Sequence, residues 1–315
     1  MKEVQHLLVK VLVVDDIHPV FMTMLNADKF TVDYRPEITY KETLDIISDY
    51  EVLIVRSKFR VERELLERAS KLRLIGRAGA GIDNINGVLA TAFGITLVSA
   101  NEGNCDAVAE HMLGMLLVLL HRISSGDFQV RGQIWDREGH RGVELGGKTV
   151  GLIGYGNNGK AMAKKLSGFG VSVLAYDKYL LDYSDSYVRE SSIDEIQKKA
   201  DVVSLHIPLT EETKGWIDAS FFSRLSRPIY FLNGARGEIV EITALIEAIK
   251  SGKVRGAALD VLQVEGFPAL SNQTWYTELS NMDQVLLTPH VAGWSVESYQ
   301  KIAFFLAEKV LAFYS

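Results

Sequence analysis

The stretch Gly151-Leu-Ile-Gly154-Tyr-Gly156-Asn157-Asn158-Gly159, followed by Val171-Ser-Val-Leu-Ala-Tyr-Asp177, decides how this chain is read. The apolar run Thr149–Ile153 has the composition of a buried strand. Three glycines then fall at G-x-G-x-x-G spacing, a helix opens at about Asn157, and a second strand, Val171–Ala175, leads to Asp177. In this pattern Gly154 allows a tight turn, Gly156 lets the backbone approach a pyrophosphate, and Gly159 lets the helix lie close to the strand. The first turn of the helix, with Asn157 and Asn158, offers unpaired N–H groups and partial positive charge to the phosphates. Asp177 lies 23 residues after Gly154, where an acid can bind the ribose hydroxyls of an adenosine. The expected ligand is therefore a dinucleotide. A carboxylate at that place repels a 2′-phosphate, so NAD is expected rather than NADP. Lys178 next door reads as a solvated loop lysine that weakens this preference only slightly.

Outward from this core, short apolar runs alternate with helical patterns. Before it the strand candidates are Val9–Val14, Val52–Val55, Leu72–Ile75 and Thr96–Val98, with Thr31–Asp33 weaker. After it they are Val202–His206, Ile229–Asn233, Ala257–Asp260 and Val285–Thr288. Strands alternating with helices predict parallel sheets covered on both faces. The series occurs twice, so the prediction is an α/β chain of two doubly wound, Rossmann-like domains with the active site in the cleft between them. Asp106–Arg122 reads as one long, nearly all-apolar helix, buried and crossing between the halves. Val296–Phe313 is a last helix expected to return to the first domain. The expected division is 1–100 with 288–315 for substrate, and 101–287 for the cofactor.

Composition narrows the function classes. The chain has 315 residues, 47% hydrophobic and 23% charged, with a net charge of −6 and a pI near 5.7. An acidic balance argues against a nucleic-acid partner. Met1–Asp16 is broken by Lys10 and ends on Asp15-Asp16, unlike a signal peptide. The longest apolar run, Met112–Leu120, is too short to span a bilayer, so no membrane partner is expected. The single cysteine, Cys105, fits a reducing cytoplasm. No metal-spaced His/Cys cluster is present in the sequence, and no metal is expected.

From about Val52 to Ser298 the chain resembles the D-isomer-specific 2-hydroxyacid dehydrogenases, especially their 3-phosphoglycerate dehydrogenase-like branch. The resemblance rests on motifs in order: Arg77-Ala-Gly-Ala-Gly-Ile-Asp-Asn-Ile-Asn86, Val108-Ala-Glu-His111, Gly146-Gly-Lys-Thr149, the glycine fingerprint and Ala200-Asp-Val-Val-Ser-Leu-His-Ile-Pro-Leu-Thr210. Asn233-Gly-Ala-Arg-Gly237, Ala257-Ala-Leu-Asp-Val261, Glu265 and Thr288-Pro-His290 complete it.

The resemblance implies a catalytic trio of Arg236, Glu265 and His290. Those residue types suit reduction of a 2-keto acid. His290 titrates near working pH and can give the carbonyl oxygen its proton. Glu265 can orient the ring and favour its charged form. The planar fork of Arg236 matches a carboxylate. The resemblance further implies that Asp260 and the Ala235 carbonyl serve the nicotinamide end, and that His206 and Pro208 lie beside the adenosine. Gly79-Ala80-Gly81 resembles a carboxylate-binding loop. Arg56 and Lys58 match a place where the phosphoglycerate branch contacts substrate, and Asn104 resembles a polar residue near it.

The implied activity is NAD-dependent oxidation or reduction between a small D-2-hydroxy acid and its 2-keto acid. 3-Phosphoglycerate, glycerate/hydroxypyruvate and lactate-like acids all remain as substrates. Formate oxidation is a weaker reading, and a non-catalytic NAD-binding scaffold of the corepressor kind is the rival class. The resemblance also implies a homodimer joined through the cofactor domain at about Arg122–Gly146, with Trp135 suited to the contact. The sequence departs from the family's habits in Asn158 within the glycine loop and in Glu102. Gly266 after Glu265, with Pro268 following, leaves the shape of 267–283 open. The chain ends about two dozen residues past His290, so no C-terminal regulatory domain is expected.

Overall fold

Twelve strands and twelve α-helices alternate through residues 8–25 and 27–315, which the computed structural model describes. The reading of Met1–Asp16 therefore falls partly outside the described residues. In chain order the first series is β1 (Val9–Val13), α1 (Val20–Met24), β2 (Phe30–Tyr34), α2 (Tyr40–Ile46), β3 (Val52–Val55), α3 (Arg63–Arg68), β4 (Leu74–Arg77), α4 (Gly87–Ala92) and β5 (Thr96–Ser99). Then come α5 (Cys105–Leu120) and α6 (Ile123–Arg131). The second series is β6 (Thr149–Ile153), α7 (Asn157–Leu166), β7 (Ser172–Tyr176), β8 (Arg189–Glu190), α8 (Ile193–Lys199), β9 (Val202–Leu205), α9 (Ala219–Ser223), β10 (Ile229–Asn233), α10 (Ile242–Lys250), β11 (Val254–Leu259), α11 (Tyr276–Ser280) and β12 (Val285–Leu287). Helix α12 (Val296–Phe313) closes the chain.

Two compact units result: residues up to Asn104 with Trp294–Ser315, and Cys105–Gly293. In the first, five strands pair in the order β2-β1-β3-β4-β5, every pair parallel. All four side chains of β3 are buried, as a central strand covered on both faces requires. One face packs Val11, Val13, Ile54 and Leu74 against Phe21 of α1 and Leu306 of α12. The other packs Leu12, Leu53 and Ile75 against Leu65 and Ala90. The second unit orders seven strands β12-β11-β10-β9-β6-β7-β8, again all parallel. The strand order reverses at β6, where such sheets bind ligands beyond their carboxyl ends.

Helix α12 is built into the first unit. Ser295 caps it through a reciprocal bond with Ser298. Lys309 Nζ donates to the Ser99 carbonyl at 2.6 Å and to Glu102 at 2.7 Å, which gives the unusual Glu102 a structural role. A Cβ on Gly103 would sit 2.6 Å from the Ile302 backbone. Gly103→Ala is therefore expected to push α12 off the sheet and to cost about 1–3 kcal/mol, read as a lower urea midpoint. An unchanged midpoint would show that the helix can move aside freely.

The helix that the sequence predicts over Asp106–Arg122 runs from Cys105 to Leu120, and the chain bends directly after it. Arg122 adopts φ +54°, a left-handed conformation that an L-residue continues into no helix. Helices α5 and α6 meet at 61°. Helix α5 buries Val108, Met112, Met115 and Leu116 against the second unit's own sheet. No single helix among the described residues is long and apolar enough to cross a membrane. The 267–283 stretch contains α11 and is pinned by buried Leu270, Trp275 and Leu279. Residues 288–293 stay with the second unit, because their backbone is tied to Asp260.

Candidate active site

In the second unit, β6 runs buried into Gly154, whose φ is +100° and whose Cβ would fall 2.4 Å from the His206 carbonyl. Only glycine satisfies both conditions. At Gly159 a Cβ would lie 2.2 Å from the Gly154 carbonyl, so helix α7 is pressed onto its own loop. Gly156 faces open space, which leaves room for a phosphate to approach the backbone. Asn158 is half-buried, and its Oδ1 has no partner among the described residues.

Asp177 is held in place by the backbone. Its Oδ2 accepts from Tyr155 N at 2.8 Å, and its Oδ1 from Tyr179 N at 2.9 Å and Leu180 N at 3.2 Å. Each oxygen keeps acceptor capacity for a ribose hydroxyl. Gly154, Gly156, Asp177, His206 and Pro208 line one cavity of about 360 Å³. Burial pushes the His206 imidazole down to about 4, so the ring is neutral at physiological pH. Its Nε2 lies 3.0 Å from Ser204 Oγ, and its buried Nδ1 has no partner among the described residues. A cradle of this shape with an unsatisfied polar atom fits a dinucleotide.

The carboxyl ends of β10, β11 and β12 carry the other group. Asn233, at the end of β10, donates to the Arg236 carbonyl and accepts from Ala235 N, folding the loop that presents Arg236. The half-buried Arg236 donates from Nη1 to the Ala235 carbonyl at 2.6 Å. Beyond β12, His290 takes φ +56°. That strain is sustained by neighbours that leave it no alternative. His290 N donates to the Asp260 carbonyl at 2.8 Å. The Asp260 carboxylate, 1% exposed, accepts from Thr288 Oγ1 at 2.6 Å, Val291 N at 2.9 Å and Ala292 N at 2.9 Å. Asp260 thus grips the turn that holds His290.

Thr288 spends its one hydroxyl proton on Asp260, so His111 Nε2, 3.0 Å away, must donate to Thr288. In the sequence His111 stands only within the helix motif Val108-Ala-Glu-His111. Its role in this chain of bonds spans 177 positions, and no local pattern announces it.

His290 Nδ1 lies 2.9 Å from Glu265 Oε2. The hydrogen bond to Glu265 is the largest influence on the ring and raises its pKa above the ordinary 6.5. Burial and the Arg236 charge oppose the rise without cancelling it. Glu265 holds Nδ1, which leaves Nε2 to exchange a proton. The pair borders a cavity of about 410 Å³ lined also by Asp260, Phe267, Tyr276 and Thr288.

The substrate residues predicted from sequence lie in the first unit. Asp15 Oδ2 accepts from Arg56 N at 2.6 Å and Lys58 N at 3.3 Å, which shapes the loop after β3. The Arg56 guanidinium lies over the Trp294 ring at 3.9 Å. Lys58 Nζ donates to the Pro36 carbonyl. In the loop after β4, Gly79 N donates to the Arg77 carbonyl, so this N–H is already used within the loop. The Arg77 guanidinium covers Gly79. Asn104 Oδ1 is buried without a partner among the described residues.

Residues 113–292 match the family model described as "D-isomer specific 2-hydroxyacid dehydrogenase, NAD binding domain". The chain belongs to this family. Among its relatives in the D-2-hydroxyacid dehydrogenase family is the D-3-phosphoglycerate dehydrogenase of Methanocaldococcus jannaschii, 37% identical over 94% of this chain and 55% of that protein. The chain spans about half the length of the curated relatives it matches. A solved structure from Pyrococcus horikoshii is 30% identical, with a TM-score of 0.82 over 97% of this chain and 92% of that one. The D-lactate dehydrogenase of Aquifex aeolicus, solved with NAD and lactic acid, is 26% identical, with a TM-score of 0.81 over 97% and 95%.

Proposed function

We propose that this D-2-hydroxyacid dehydrogenase family member is an NAD-dependent oxidoreductase that interconverts a small D-2-hydroxy acid and its 2-keto acid. The observation that carries the reading is the His290–Glu265 pair, set near Arg236 in the unit that also holds the Asp177 cavity. Bound NAD would supply or accept the hydride. Gly154, Gly156, Asn157, Asn158, Gly159 and Asp177 would hold its phosphates and adenosine ribose, with His206 and Pro208 beside the adenosine. Ala235 and Asp260 would serve the nicotinamide end.

The chain's own groups do the rest. Arg236 binds the substrate carboxylate and polarises the carbonyl. His290 Nε2 gives the carbonyl oxygen a proton in reduction and takes one from the hydroxyl in oxidation. Glu265 keeps Nδ1 protonated and stabilises the imidazolium. In the first unit, the Ala80 and Gly81 backbone and Asn104 are proposed to bind the acid, with Gly79 shaping their loop. The relatives named as D-3-phosphoglycerate dehydrogenases support a phosphorylated substrate. Arg56 is the group to recognise it, since Lys58 is engaged by Pro36.

A homodimer in the cytoplasm completes the reading. The single cysteine supports the compartment. Ile123, Phe128, Val130, Ile134 and Trp135, all exposed on the segment after α5, support the dimer. The test is a panel of 2-keto acids with NADH, followed at the nicotinamide absorbance. Turnover of at least one is expected. Arg56→Ala should lower kcat/KM for 3-phosphohydroxypyruvate by at least about tenfold and affect pyruvate far less. Equal losses on both would return Arg56 to a purely structural role. No turnover with any acid, despite NADH binding, would favour the scaffold reading.

A further inference from the structure

The adenosine cavity has two walls. One is the end of β7, with Asp177 and Lys178; the other is the loop 207–216 after β9. That loop is tied into a rigid turn. Thr210 N donates to Thr213 Oγ1 at 2.8 Å, Thr213 Oγ1 donates to the Pro208 carbonyl at 2.8 Å, and Lys214 N reaches the Thr210 carbonyl at 3.0 Å. The turn presents Glu212 to the cavity, and Lys178 Nζ donates to Glu212 Oε2. The ion pair thus bridges the two walls. Both side chains are more than half exposed, 53% for Lys178 and 66% for Glu212, so the bond acts on the cavity mouth rather than on the core.

The position of Lys178 gives this pair a consequence. It follows directly on Asp177, the acid assigned to the ribose hydroxyls, and it lines the same cavity. A 2′-phosphate on that ribose would seek a nearby cation, and an unpaired Lys178 would supply one. Glu212 occupies that ammonium instead. Asp177, Lys178 and Glu212 together carry one net negative charge, and the neighbouring His206 ring is neutral. A phosphate therefore meets repulsion from the Asp177 carboxylate and a lysine already committed to Glu212.

We propose that Glu212, by pairing Lys178 across the adenosine cavity, is a second specificity determinant that excludes dinucleotides bearing a 2′-phosphate. The proposal rests on the reading of this cavity as the dinucleotide site.

The experiment titrates NADH and NADPH onto the wild-type protein, Glu212→Gln, Lys178→Ala and the double variant at low ionic strength. Binding is followed by the fluorescence of Trp216, which lines the cavity. The quantity read is the Kd of NADPH divided by that of NADH. Glu212→Gln should lower this ratio by about three- to fivefold, the scale of one exposed ion pair. The gain should vanish in the double variant, because the freed lysine is its source. Glu212→Asp, which keeps the charge, should stay near the wild-type ratio. An unchanged ratio in Glu212→Gln would overturn the proposal, as would a gain that survives removal of Lys178. A wild-type protein that binds neither dinucleotide would overturn the cavity reading itself. Wild-type binding of NADH with an indifferent Glu212→Gln would sink the Glu212 assignment alone.

Discussion

His290→Ala should lower kcat for 2-keto acid reduction by roughly 10²–10⁴-fold, the usual contribution of a positioned acid–base group. NADH affinity should change little, because the ring sits with Glu265 and Arg236 rather than in the Asp177 cavity. The pH dependence follows from the raised pKa of the ring. Reduction needs the imidazolium, so the rate should hold above pH 6.5 and fall as pH rises through the raised value. Glu265 is the largest cause of that rise. Glu265→Gln should therefore move the falling limb to lower pH. If the limb stayed where it is in the wild type, Glu265 would not govern the protonation of His290. A His290→Ala enzyme with near-normal kcat would remove the histidine from the mechanism.

Asp260→Ala should damage stability and turnover together. The substitution would leave the Thr288 hydroxyl and the Val291 and Ala292 N–H groups without their acceptor in a buried place. Unsatisfied buried donors cost about 1–3 kcal/mol each, and part of that is recovered by relaxation, so a loss of about 3–5 kcal/mol is expected. Urea denaturation measures it. Among molecules that remain folded, kcat should fall by at least about tenfold, since the strained backbone of His290 would lose part of its hold. Asp260→Asn separates the two effects. It keeps the size and one acceptor oxygen, yet turns an N–H₂ toward at least one of the three donors. It should fall between the wild type and alanine in both measurements. A fully stable Asp260→Ala would mean that water can replace the carboxylate and that the turn does not depend on it.

What could be read in advance follows the range of each interaction. The sequence delimits β3, β6 and β10 residue for residue and locates α7 and β7, because hydrophobic runs and glycine spacing are local signals. The strand ends in turn showed which loops carry Arg236, Glu265 and His290. The pairing of Glu265 with His290 is implied by the family resemblance alone, because a hydrogen bond across 25 positions leaves no periodic trace. Lys178 with Glu212, Arg56 over Trp294 and Lys309 with Glu102 leave no trace of either kind. Lys178 reads as a solvated loop lysine until the topology brings its partner. The end of α5 falls two residues before the predicted one. Arg122 is a good helix former by propensity, yet its backbone is left-handed.

The interrupted path of the first unit bears on how the chain is made. Its five-stranded sheet leaves the ribosome before residues 105–293, but α12, which with α1 covers one face of that sheet, leaves after them. Residues 105–293 form a continuous unit whose segments all emerge before α12 does. Synthesis thus reverses the usual N-to-C order of domain completion. The unit begun first is finished second, and a nascent chain stalled before residue 296 would carry a complete second unit and a five-stranded sheet with one face covered by α1 alone.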